Sequence, residues 1–199
     1  MATQYANGKI VNTGLVLALD AADRNSYVSG SLIWNDASGN GNSGSLVNGP
    51  TFNSGSGGSI VFDGIDDYMI TTSITNFRTI SLWIDYKNIG VQWKYLLDAR
   101  PGMANSWYSP EGIGSNWESQ YVNGQNTSIS FSFITIGIWC NLVLIANNNY
   151  TPTVTFMNRF TGNENAQGSI SNVQVYNRVL SPSEVLQNYN AQKSRFGLK

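Results

Sequence analysis

Every second residue of TISLWIDY, Thr79–Tyr86, is apolar, so Ile80, Leu82, Ile84 and Tyr86 fall on one side of an extended chain. Side chains alternate across a strand with a period of two, and this pattern predicts a strand with one buried face and one face turned to water. SISFSFI at 128–134 repeats it, with Ile129, Phe131 and Phe133 on one side and serines on the other. Further strand candidates are LVLAL (15–19), SIVFD (59–63), YMITT (68–72), KYLLDA (94–99), ESQYVN (118–123), WCNLVLIA (139–146), TVTFMNR (153–159) and SISNVQVYN (169–177). Roughly ten strands at this spacing predict an antiparallel sandwich or barrel.

Glycine- and asparagine-rich stretches separate the strands. SGNGNSG (38–44) and NSGSGGS (53–59) supply residues that accept positive φ, and VNGQN (122–126) predicts a hairpin turned on Asn-Gly. One helix is expected near 182–193. Ser181 is its N-cap, Pro182 its first residue and Glu184 the partner in a capping box, with Val185, Leu186 and Tyr189 as the apolar stripe. No shift in composition marks a boundary, so the expected organisation is an N-terminal arm (1–13), one sandwich domain (14–193) and a C-terminal tail (194–199).

Composition limits the chemistry. Apolar residues are 41% of the 199, but charged residues only 12%, about half the usual share. With 11 basic and 12 acidic side chains there is no basic excess for phosphates, which argues against nucleic acid or an anionic membrane as partner. The chain contains no histidine, which removes the usual general base and every Ser-His or Cys-His arrangement. Cys140 sits in the apolar run IGIWCNLVLIA and reads as a buried, inert thiol. The first residues lack the plan of a signal peptide and no apolar run is long enough to span a bilayer, so synthesis in a cytosol, with both termini docked, is expected.

GSIVFDGIDDYMITT, TISLWIDYK, YVNGQ and GSISNVQVYNRVLSPSEVLQNYNA, in this order, resemble the concanavalin A-like jelly roll of the laminin G type, from about Gly14 to Ala191. The implied fold is all-β, an antiparallel β-sandwich with one short C-terminal helix. TGLVLALDAADRNSYVSGSLIWNDASGNGNSGSLVNGPTF, taken with NYNAQKSRFGL, is similar to laminin G-like structural proteins in the virions of tailed bacteriophages. That resemblance implies a non-enzymatic virion protein, expected here as a capsid decoration (cement) protein on the particle surface. Its partners would be other virion proteins, the major capsid protein foremost, with a homo-oligomer left open. The alternative is a lectin-like adhesion module that binds host surface glycan.

The candidate sites follow from these readings. Asp63, Asp66 and Asp67 read as turn punctuation; a calcium site is the second reading, although their spacing lacks the ligand rhythm of a defined loop. No other cofactor is expected. No Glu or Asp pair stands at i and i+2 inside a core strand, as glycan hydrolysis on this fold would require, so no catalytic residue is assigned. Trp93, Trp107, Tyr108 and Trp117, near Asp98 and Arg100, are the candidate glycan or partner contacts, the first reading being that most of these rings belong to the core or to a protein interface. Tyr5, Phe196 and Leu198 are the candidate virion contacts, whereas Trp34, Trp83 and Trp139 are expected in the core.

Overall fold

The computed structural model describes residues 4–5, 8–88, 93–109, 112–160 and 164–199, with the side chains of 4, 5, 8, 104–109, 112, 113 and 131 outside that description. In chain order the strands are β1 (Gln4–Tyr5), β2 (Gly8–Lys9), β3 (Leu15–Asp20), β4 (Ile33–Trp34), β5 (Gly44–Val47), β6 (Thr51–Asn53), β7 (Ser59–Asp63), β8 (Tyr68–Ser73) and β9 (Phe77–Tyr86). They continue with β10 (Lys94–Arg100), β11 (Met103–Ser109), β12 (Gly112–Ile113), β13 (Trp117–Val122), β14 (Gln125–Thr127), β15 (Cys140–Tyr150), β16 (Thr153–Phe156) and β17 (Gln167–Tyr176). Among the described residues there is one α-helix, α1 (Pro182–Gln192), which runs into a 3-10 turn at Lys193–Phe196. No helix among the described residues is long and apolar enough to cross a membrane.

Apart from the small β1–β2 pair, the strands make two antiparallel sheets. One has seven strands in the order β12-β11-β10-β16-β8-β5-β4. The other has eight: β14-β13-β15-β9-β17-β7-β6, with β3 added beside β17. The inner faces meet in one core that includes Ile80, Leu82, Ile84 and Tyr86 of β9, Leu142 and Leu144 of β15, and Met69, Val154 and Phe156 from the other sheet. Burial of this apolar surface is the main stabilising term. The Asn-Gly hairpin forms as expected: Val122 pairs with Gln125, and Asn123 and Gly124 both take positive φ.

The alternation in β9 identifies the core face, but the opposite face is not wet. Thr79, Ser81 and Trp83 are fully buried, because α1 and the 3-10 turn lie across the outside of the eight-stranded sheet. The surface beneath the helix is mixed: Thr79, Ser81, Asn141, Asn172 and Gln174 are buried there beside an apolar cluster of Tyr121, Val143, Ile145, Tyr176 and Leu180 that Val185 joins, which explains what the helix buries. Val185, Asn188, Ala191 and Gln192 face inward, whereas Leu186, expected in the stripe, is 40% exposed. Leu186 and Tyr189 lie instead against the β13–β14 turn, where a Cβ on Gly124 would sit 3.1 Å from Leu186 Cδ1 and 3.2 Å from Tyr189 Cδ1. The N-terminus of α1 carries the predicted capping box on Ser181 and Glu184.

SISFSFI is no strand. Residues Phe131–Phe133 form a 3-10 turn and Phe133 is 44% exposed. The serines explain the difference, because they bond locally and compete with a ladder. Ser132 N–H donates to Ser130 Oγ, Ser130 N–H donates to Gln120 Oε1, and Gln120 Nε2 donates back to Ser130 O.

The tail residues are structural. β17 has two successive neighbours on one edge, β7 against Gln167–Ile170 and β3 against Asn172–Tyr176, with a bulge at the changeover. Arg195 reaches into that seam. Its Nη1 pairs with Asp20 Oδ1 at 2.7 Å, Nη2 donates to Gly58 O at 2.8 Å and Ser171 Oγ at 2.5 Å, and Nε donates to Ser56 O at 2.6 Å. Phe196 stacks on Trp83 with ring centroids 4.0 Å apart and touches Trp139 at 5.1 Å. At the other end, Val11 N–H donates to Asn188 Oδ1, and Tyr176 Oη donates to Val11 O.

Candidate functional site

With the outer face of the eight-stranded sheet covered, the outer face of the seven-stranded sheet is the broad surface left for a ligand. Strand register places Asp98, Thr155, Ile70, Ser45 and Ile33 in one row across β10, β16, β8, β5 and β4. Burial falls along the row, from none of Asp98 exposed to 42% of Ile33. The buried end is where charge collects.

Asp98 Oδ2 accepts Arg100 Nε at 2.9 Å and the Phe160 N–H at 3.1 Å. That second bond folds the segment after β16 back over β10. Arg159 then lies over the Tyr95 ring at 5.7 Å and pairs with Glu164 at 3.2 Å. Phe160 stays 44% exposed beside this network, and Trp93, immediately before β10, stays 56% exposed. The exposed Phe160 adjoins hydrogen-bonding side chains that are already fixed, and the exposed Trp93 precedes β10, an arrangement suited to a flat, hydroxyl-rich ligand.

The sequence-predicted residues divide. Trp93 is 56% exposed just before β10, two positions before Tyr95. Trp107 and Tyr108 are on β11, in register with Leu97 and Tyr95 of β10, but their side chains lie outside the described residues. Trp117 is a correction: it is 5% exposed and packs edge-on against Phe77 at 6.2 Å, because its alternation turns it into the core, and it cannot stack on a ligand. Trp34 and Trp83 are buried as expected, but Trp139 is half-buried against Phe196 and outside the core. Tyr5 is on β1 with its side chain outside the described residues. Phe196 is stacked on Trp83, and Leu198 N–H donates to Lys193 O within the tail's own turn.

Sequence reasoning missed Arg159, Phe160 and Tyr95 as members of the patch. Phe160 is brought there by a bond to a residue 62 positions away, which leaves no local signature.

The carboxylates of Asp63, Asp66 and Asp67 come within 4.8 Å of one another. Two of them serve the turn: Asp63 Oδ1 accepts the Ile65 N–H, and Asp67 Oδ2 accepts the Asp63 N–H. Burial, reinforced by its charged neighbours Asp63 and Asp66, raises the Asp67 carboxyl above its ordinary value. Calcium takes six to eight oxygens, more than these three carboxylates supply, and one oxygen each of Asp63 and Asp67 already accepts a turn N–H. Elsewhere, burial and the charge of Asp85 push the Cys140 thiol up to about 12, leaving it inert. Three of the four glutamates are described, and each pairs with an arginine: Glu118 with Arg78, Glu164 with Arg159 and Glu184 with Arg178.

No family model and no curated protein matches this sequence. Solved structures do share its fold. Trypanosoma rangeli sialidase superposes with a TM-score of 0.59 at 15% identity, over 94% of this chain and 34% of the sialidase. Domain 4 of AbnA, an extracellular arabinanase from Geobacillus stearothermophilus, in complex with arabinotriose, gives 0.59 at 14% identity over 89% of this chain and 98% of that domain. The binding domain of Paraclostridial Mosquitocidal Protein 1 gives 0.56 at 17% identity, over 88% of this chain and 52% of that one. The chain thus spans about a third of the sialidase. The fold is a concanavalin A-like antiparallel β-sandwich, as the sequence resemblance implied, while these likenesses carry no link to a phage particle.

Proposed function

We propose that this chain is a non-enzymatic carbohydrate-binding module whose ligand face is the outer surface of the seven-stranded sheet around β10 and β16. The observation that carries the reading is the exposed Phe160 beside the fixed Asp98–Arg100 and Arg159–Glu164 pairs, with Trp93 exposed just before β10. The match to the whole of an arabinanase domain in complex with arabinotriose supports it. A binding rather than hydrolytic role fits the lack of histidine and the pairing of each described glutamate with an arginine, which leaves these acids occupied. This reading reverses the order of the two sequence expectations and puts the lectin-like module first.

Virion-surface display, with the major capsid protein as the anchoring partner, remains our proposal for the setting and rests on the sequence resemblance. Copy number in purified particles, measured against the capsid protein, tests it: hundreds of copies support decoration and none refutes it. The binding role is tested by retention on a panel of soluble polysaccharides, arabinan included, in affinity electrophoresis. Retention that disappears in a Trp93→Ala/Phe160→Ala double variant with unchanged melting is the expected result. Retention by no glycan, or retention unaffected by the double variant, overturns the reading.

A further inference from the structure

Beneath α1, part of the eight-stranded sheet is lined by amides. Asn141, Trp83 and Asn172 stand side by side on β15, β9 and β17 in direct register, and Gln192 closes over the sheet from the end of the helix. All four are at most 1% exposed. Each has one polar atom without a hydrogen-bond partner among the described residues: Trp83 Nε1, Asn172 Nδ2, Asn141 Oδ1 and Gln192 Oε1. Two of these atoms donate and two accept.

Reorienting the amides leaves the same number of free ends within their own chain of bonds. Gln192 Nε2 donates to Gln174 Oε1, and Gln174 Nε2 donates to Asn172 Oδ1. Turning all three amides together restores both bonds in the opposite sense and leaves Asn172 Oδ1 and Gln192 Nε2 in need. Turning Asn141 would cost the bond its Nδ2 makes to Leu82 O, whereas the Ser81 hydroxyl can donate to the turned oxygen. Dry burial of four such groups would consume a large part of a domain's net stability.

We propose that the sheet and α1 enclose a binding site for ordered water, framed by Trp83, Asn141, Asn172 and Gln192. Neighbouring strands lie about 4.8 Å apart, and a water with a bond on either side spans about 5.6 Å, so one water bridges adjacent positions in this row. Waters of this kind make about three bonds to groups the protein leaves unsatisfied and act as part of the structure. The C-terminal helix is therefore seated partly through water, in addition to the Val185 contact and the Arg195 clamp. This inference does not depend on the carbohydrate reading.

The test is a water-selective NOE and ROE measurement on 15N-tryptophan-labelled protein with assigned indoles. The Trp83 indole N–H should show a cross-peak at the water frequency with the sign of a long-lived bound molecule. Its absence overturns the proposal. An Asn172→Leu/Gln192→Leu variant removes two of the four framing groups and should lose the cross-peak while remaining folded. Persistence of the peak in that variant would also overturn the assignment, and if the variant does not fold, the wild-type spectrum decides.

Discussion

The outer faces of the two sheets begin from the same alternating pattern and end in opposite states. On the eight-stranded sheet, Trp83 is fully buried under Phe196 and Tyr189, and its amide neighbours are sealed by α1. On the seven-stranded sheet no helix among the described residues arrives, Phe160 stays exposed beside charged pairs and Trp93 is exposed just before β10. A sandwich of this kind can present either face, and here the C-terminal segment makes the choice by covering one. The first face should therefore respond to mutation through stability, and the second through binding.

The largest expected effect is on the covered face. Arg195→Ala removes the bonds at the β3–β7–β17 seam and leaves Asp20 buried without its cation, so unfolding in urea should show a loss of about 3–5 kcal/mol. Deleting 194–199 should unfold the domain similarly, so weaker particle attachment of that truncation would not by itself reveal a contact arm. A near-neutral Arg195→Ala would break the comparison.

Next in size is the open face. Trp93→Ala should weaken glycan retention about tenfold, equivalent to about 1.4 kcal/mol, while melting stays within about 0.5 kcal/mol of the parent. A large loss of stability would show that Trp93 belongs to the packing instead.

The helix cap comes third. Two bonds from Arg178, followed by the Ser181 N–H, hold the Glu184 carboxyl at about 2, below the ordinary value of about 4.3. Because the folded value is depressed, this stabilisation is complete above about pH 4.5 and is lost as pH falls toward 2. Glu184→Gln should cost about 1 kcal/mol at pH 7, and the difference from the parent should vanish near pH 2 in a thermal series.

The smallest effect belongs to the acidic turn. The Asp67 carboxyl is raised, so its ionised form opposes folding at neutral pH and the penalty is relieved as pH falls through the raised value. Asp67→Asn should stabilise by about 0.5 kcal/mol at pH 7, with the gain shrinking in acid. Destabilisation by this change only when calcium is added would restore the metal reading.

Much of the scaffold was legible because its signals are local. SIVFD coincides with β7, TISLWIDY lies within β9, the Asn-Gly turn makes its hairpin, and Ser181 caps α1. Short or polar strands such as β4, β5, β6 and β11 escaped because they carry little alternation. Less of the candidate site was legible: Trp93 and the Asp98–Arg100 neighbourhood stood out in the sequence, but Trp117 turned inward and Phe160 arrived from elsewhere.

The sequence by itself determined the period of the strands, the ends of the helix and the all-β class, since each depends on residues a few positions apart. Only the tertiary structure decided which outer face is covered, because that depends on Arg195 meeting Asp20 across 175 residues and Phe196 meeting Trp83. Alternation records that a strand has two faces, while the identity of what covers each face is settled by contacts that no local pattern encodes.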